Sequence, residues 1–472
     1  MDDTMAMGRR KSERQTEMWI AAGELPQSPG HVFYEKLNGL LAESGFDVWV
    51  ESLCLPYYAQ MGRPGIPPGV YFRMLLVGYF EGLGSQRGIA WRCADSLSLR
   101  KFLGLASDEE SPDHSSLTII RDRLPLEVHV AVFQRVLTLA REKKVLNGQT
   151  LGVDSTTLEA NAAMKSIVRK ETGENWQAYL TTLMREAGVI GPEDKPSIDE
   201  MKRFDKSRKG KKVSNEDWES PVDPDSRITK MKDGTTHLAY KAEHAVDLES
   251  DLIVAAEIYH GIEADTRTLQ DTVQAAQNHL QESRSAVEVQ DVVGDKGYYS
   301  AEVLGAFAED TTCRTYIAEP QLPAGQQRTW TDKPAGQRQA VYANRRRGRG
   351  KRGRRLQRQR SERVERTFAH VCETGGARRT WLRGIDKVRK RYLLAAAAHN
   401  LGCLMRELFG MGTPRGLQGA ARRVAALWRT LRRPQITLPK PLQLFVTVLT
   451  HYDSILETPR VHRQKLAFST KS

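Results

Sequence analysis

Asp291-Val292-Val293-Gly294-Asp295-Lys296-Gly297-Tyr298-Tyr299-Ser300 is a short β-branched run that ends on a carboxylate and turns at once on a glycine. The pattern predicts a buried strand that delivers Asp295 to its carboxyl end, with Gly297 permitting a tight exit. Upstream, Gln149-Thr150-Leu151-Gly152-Val153-Asp154-Ser155-Thr156 has the same design and ends on Asp154. Two strand-end aspartates form a candidate carboxylate pair, because adjacent strands bring their ends within a few ångströms. A strand-end aspartate can also serve only as a turn former or cap.

Around these strands the order of patterns is mixed. His237–Asp247 and Leu252–Tyr259 alternate as strands across a short polar turn, which predicts a hairpin. Helical spacing follows over Thr266–Ser283, then the Asp295 strand, a helix over Ala301–Ala308 and a strand over Arg314–Ile317. That order predicts an α/β core of mixed sheet flanked by helices. Before it, residues 31–147 read as all-helical: an amphipathic helix from His31 to Tyr57, another from Val70 to Gly82, short ones around Ile89 and Leu97, and one capped by Asp113 or Ser115 that carries Arg121. Val128 to Lys144 is amphipathic with a basic end. Short helices with basic faces are compatible with a helix-turn-helix-like module, and equally with a plain helical cap.

The 472-residue chain carries a formal net charge of +13, a balance that favours anionic partners. Between Arg345 and Arg360 there are ten Arg or Lys residues and no acid. Such a run is read as a solvated linker or, since it leads straight into Glu365, as a phosphate clamp. The segment from 160 to about 225 is charged, with a helix over Trp176–Ala187, and reads as an insertion. Five widely spaced cysteines without a C-x-x-C pair argue against disulfides and zinc. The longest apolar segment, Tyr392–Met405, is too short to span a bilayer, and the N-terminus has no apolar signal region, so a cytosolic protein without a membrane partner is expected. His244 and His260 lack ligand spacing and are read as ordinary hydrogen-bonded histidines.

Asp154, Asp295 and Glu365 supply oxygen ligands of the kind hard divalent cations prefer. Two such ions can serve both the entering and the leaving oxygen of a phosphodiester. The three stretches Gly152-Val153-Asp154-Ser155-Thr156, Gly294-Asp295-Lys296-Gly297-Tyr298-Tyr299-Ser300 and Val364-Glu365-Arg366-Thr367-Phe368 resemble, in order and spacing, the acidic motifs of bacterial insertion-sequence transposases of the DDE type. Pro112–Leu117, with the helices before it, is similar to the N-terminal domain common in that group, and Arg391–Leu401 to the helix that closes its catalytic domain.

The resemblance implies a ribonuclease H-like core, Asp154, Asp295 and Glu365 as catalytic ligands of two Mg²⁺ or Mn²⁺ ions, hydrolysis that frees 3′ ends, and their joining to target DNA. It implies double-stranded DNA as partner, met by Lys296, Tyr298, Arg121, Arg358, Arg360, Arg363 and Arg366, and a homodimer that unites two element ends. Tyr298 can instead be a packing aromatic. The expected organisation is a flexible arm over 1–30, a helical DNA-binding domain over 31–147, a catalytic domain over 148–410 with insertions near 160–235 and 320–360, and a basic helical tail over 411–472. The third motif departs from the family pattern. Ser361 stands where an arginine is common, Cys372 where a basic residue is common, and Glu362 is a rival to Glu365. A DNA-binding protein without catalysis and a metal nuclease of other function remain alternatives.

Overall fold

The computed structural model describes residues 30–62, 65–106, 108–208, 214–231, 234–310, 312–323, 325–326 and 334–415. The expected arm up to residue 29, the basic stretch 209–213 and the tail beyond 415 lie outside the described residues.

Seven helices open the fold: α1 (Val32–Glu43), α2 (Phe46–Cys54), α3 (Pro68–Glu81), α4 (Gln86–Asp95), α5 (Leu97–Leu103), α6 (His114–Arg123) and α7 (Leu126–Glu142). The single helix expected over 31–57 is two, because Gly45 adopts φ 64° and breaks it. Asp113 caps α6 as anticipated, accepting from Ser115 N at 3.1 Å.

A six-stranded mixed sheet follows, built from β1 (Thr150–Glu159), β4 (Arg227–Lys230), β5 (Thr236–Asp247), β6 (Ile253–His260), β7 (Asp291–Gly294) and β8 (Arg314–Ile317). β5 pairs antiparallel with β1 along one edge; its other edge meets β4 and then β6. β7 runs parallel to both β1 and β8. The hairpin, the strand that ends before Asp295 and the strand at Arg314 therefore stand as read, whereas β1 does not end on Asp154: its antiparallel ladder with β5 carries it on to Glu159, so Asp154 lies mid-strand. The insertion after β1 holds β2 (Val168–Arg169) and β3 (Trp218–Glu219), a two-stranded ladder, together with α8 (Trp176–Glu186) and α9 (Ile198–Ser207).

Helices cover both faces of the sheet. α10 (Asp265–Glu282) and α11 (Ala301–Asp310) pack on one, over Leu151, Val153, Ala245, Val292 and Ile317. On the other lie α13 (Lys351–Phe368) and α14 (Ile385–Phe409). α12 (Ala335–Arg349) packs against α11 and β8. The arginine-rich run is thus neither linker nor loop: it is the end of α12 and most of α13, with the corner at Gly350.

The N-terminal helices do not form a core of their own. Phe33, Leu37 and Phe133 share one continuous buried cluster with Val293, Val364, Leu401 and Leu404. The described residues through Pro414 accordingly form one compact unit.

Candidate active site

In β1 side chains alternate between the two faces. A Cβ added at Gly152 would meet Val364 and Arg360 of α13, so Gly152 and Asp154 face that helix. Ser155 faces the other way and donates to Asp265 Oδ1 at 2.9 Å. Gly152 pairs with Val293 in the parallel ladder. Asp154 and Asp295 each lie two residues beyond that pair: Asp154 in the middle of β1, which runs on to Glu159, and Asp295 directly after the last residue of β7. Asp295 begins the exit turn; its Oδ1 accepts from Gly297 N at 2.8 Å. A Cβ at Gly297 would come within 2.6 Å of Asp265 Oδ2 and 3.1 Å of Asp295 Oδ1, so a side chain there would crowd both carboxylates.

α13 packs across β1 and β7. Gln357, Ser361 and Glu365 form one stripe at four-residue spacing. Gln357 Nε2 donates to Gly294 O at 2.9 Å, directly before Asp295. Ser361 Oγ donates to Glu365 Oε1 at 3.0 Å. The neighbouring stripe of Arg360, Val364 and Thr367 is buried on the sheet. Glu362 lies outside both stripes; its side chain is 69% exposed and paired with Arg366, which separates it from Glu365.

Arg360 Nη1 donates to Asp154 Oδ2 at 2.8 Å, so a guanidinium stands beside this carboxylate where a bound cation would stand. Among the described residues no three His, Cys, Asp or Glu side chains are gathered closely enough to hold a metal ion. The donor set still fits a hard divalent ion in kind, since all three side chains are carboxylates: two just past the β1–β7 ladder and a third on the helix that covers it.

His244, opposite Asp154 in β5, ties the sheet to both covering helices. Thr367 gives its hydroxyl proton to Val364 O at 2.8 Å, so it accepts from His244 Nδ1, also at 2.8 Å. His244 Nε2 then accepts from Tyr392 O–H at 2.9 Å. Burial, then the nearby His399, pushes the His244 pKa well down and keeps the ring neutral. His260 makes an ordinary bond from Nδ1 to Asp225 O at 2.8 Å.

The basic residues expected to meet DNA divide sharply. Lys296 and Arg358 are exposed. Arg363 and Arg366 hold Asp251 at 2.9 and 3.0 Å and pin α13 to the β5–β6 turn. Arg360 is engaged with Asp154, and Arg121 is only 8% exposed and bonded to Asp122. Tyr298, read either as a DNA contact or as a packing aromatic, is fully buried in the cluster under α10, where desolvation pushes its hydroxyl pKa well up. It is the packing aromatic of the two readings: the turn at Gly297 directs the ring back under the sheet.

Sequence reading missed a polar network behind Asp154. Lys241 Nζ reaches Asp265 Oδ1 at 2.7 Å, Glu243 Oε2 at 3.0 Å and Thr268 Oγ1 at 2.7 Å. Glu243 has no exposure, and desolvation raises its pKa against the pull of Lys241. Two opposite charges, Lys241 and Glu243, at alternate positions of one strand were the available signal.

Residues 24–123 match the model of a transposase domain, and residues 206–401 match that of a transposase DDE domain. Together they span well over half of the chain. Asp295 and Glu365 fall inside the second match, and Asp154 lies between the two. No curated protein and no solved structure matches the chain.

Proposed function

Because the chain belongs to the insertion-sequence DDE transposases, we propose that it cuts DNA at the ends of its element and joins the freed 3′ ends to target DNA, with Asp154, Asp295 and Glu365 as its catalytic carboxylates. The observation that carries this reading is that Asp154 and Asp295 each lie two residues beyond the last pair of the parallel β1–β7 ladder, with α13, which bears Glu365, packed on both strands. The sheet order β6-β5-β1-β7-β8, antiparallel in its first three strands and parallel in the last two, supports a ribonuclease H-like core.

Two Mg²⁺ or Mn²⁺ ions held by these carboxylates would activate the attacking water or 3′-hydroxyl and neutralise the leaving oxygen. The chain's own residues set the geometry. The Gly297 turn holds the Asp295 carboxylate at the strand end, and Gln357 fixes α13 over β7 through Gly294 O. Ser361 orients Glu365. Lys296 and Arg358 are exposed beside the site and available to phosphates. Two element ends must meet before joining, which calls for a homodimer on DNA.

The test is incubation of the purified protein, with Mg²⁺ or Mn²⁺, on a supercoiled plasmid carrying its coding region and native flanks, alongside Asp295→Asn. Metal-dependent cuts at two flanking sequences and joined products are expected from the parent, and neither from the variant. Equal cutting by the variant overturns the assignment of Asp295. Cutting without joined products replaces transposition by plain nuclease activity.

A further inference from the structure

A cavity of about 220 Å³ opens between the α3–α4 turn, α6, α14 and the segment that follows α13. Its floor is apolar and aromatic, with Tyr79, Ile89 and Leu394, and one wall is the Trp381 indole, 52% exposed. Arg121, Lys390 and Arg391 complete the lining, and none of the three carboxylates takes part in it.

The charges here do not balance. Asp122 is shared by Arg121 at 3.3 Å and Lys387 at 3.2 Å, while Asp386 holds Lys390 at 3.0 Å. Arg391 donates instead to the Gly376 carbonyl oxygen at 3.2 Å. Four cations thus meet two carboxylates. Burial, then the like charge of Arg121, pushes the Arg391 pKa down to about 10. Cations held together above an apolar floor are costly unless an anion joins them.

We propose that this cavity binds a nucleotide, its base against Trp381 and the apolar floor and its phosphate on Arg391 and Arg121. An occupant with a flat apolar body and one anionic group matches both halves of the lining. Supplied free or as a residue of a DNA strand, the nucleotide presents the same recognising chemistry. The inference rests on the reading of the chain as a DNA-acting protein, yet it needs neither metal nor Asp295.

The full-length protein is titrated calorimetrically in EDTA with dAMP, with inorganic phosphate and with a short single-stranded oligonucleotide. Saturable dAMP binding is expected, with inorganic phosphate about tenfold weaker or more, the worth of one base–aromatic contact. Arg391→Met and Trp381→Ala should each weaken dAMP by a similar factor; because Trp381 is half exposed, the second variant folds even where the first does not. Absence of dAMP binding by the parent, or unchanged binding in folded variants, overturns the proposal. Oligonucleotide binding that dAMP displaces, and that the same variants weaken, identifies a DNA strand as the source; dAMP binding indifferent to the oligonucleotide identifies the free nucleotide. Asp295→Asn should bind dAMP normally, so failure of this site and failure of the catalytic reading are separable.

Discussion

At the scale of single residues, the contact that most constrains the candidate site is Arg360 on Asp154. A guanidinium 2.8 Å from a carboxylate and a divalent cation on the same oxygens exclude one another. Arg360→Met keeps the apolar stem that packs near Gly152 but removes the charge. Mn²⁺ affinity, read by electron paramagnetic resonance of free ion, should rise several-fold. A fall would mean that Arg360 supports the ion-binding arrangement rather than competing with it. The strand before Asp295 was legible in the sequence because a β-branched run and a glycine exit are local signals; that β1 runs on past Asp154 was not, because the pairing with β5 that extends it to Glu159 is long-range. The Arg360 contact was not: its partners are 206 positions apart, and the same arginine reads equally well as a phosphate ligand. Tyr298 was undecided for a related reason, since nothing local says whether a turn directs an aromatic ring outward or under the sheet.

At the scale of elements, the site depends on how closely α13 approaches β1. Gly152 has no side chain, and a Cβ there would lie 2.6 Å from Leu248 Cδ2, 3.0 Å from Val364 Cγ2 and 3.1 Å from Arg360 Cγ. Gly152→Ala should therefore push α13 off the sheet, at a cost of about 1–3 kcal/mol as for other overpacked contacts. Urea unfolding would register that loss, and strand cutting should fall further than stability alone explains, because Glu365 and Arg360 ride on the displaced helix. Unchanged stability would show that the helix can slide without cost. The helix itself was foreseen around Glu365, but not its extent or its bonding. Arg345 pairs with Glu319, Arg347 donates to Thr315 O, and Arg352 holds the buried Asp291. Charge count alone could not distinguish arginines that meet phosphate from arginines that tie a helix to a sheet.

At the scale of the molecule, buried neutral histidines join helices to one another and to the sheet. His129 donates to Pro125 O at 3.0 Å and accepts from Tyr71, while His399 donates to Asp251 O at 3.3 Å and faces Tyr79. His279 donates to Val254 O at 2.9 Å, and His244 joins Thr367 to Tyr392. Desolvation comes first among the causes that lower all four, to about 4 for His129 and about 3 for His399. The native state therefore refuses protons that the unfolded chain takes below about pH 6.5. Stability from these groups is complete above that pH and is lost as pH falls toward 4 and then 3. Each contributes a slope of about 1.4 kcal/mol per pH unit within its window. Urea midpoints measured at pH 7.5, 6 and 5 should fall steeply, and His129→Gln, which cannot titrate, should flatten the slope by about one proton. The helices and the sheet should be lost together, since Phe133 and Leu404 share one core across them. Near- and far-ultraviolet circular dichroism that separate into two transitions would show instead that the N-terminal helices unfold on their own.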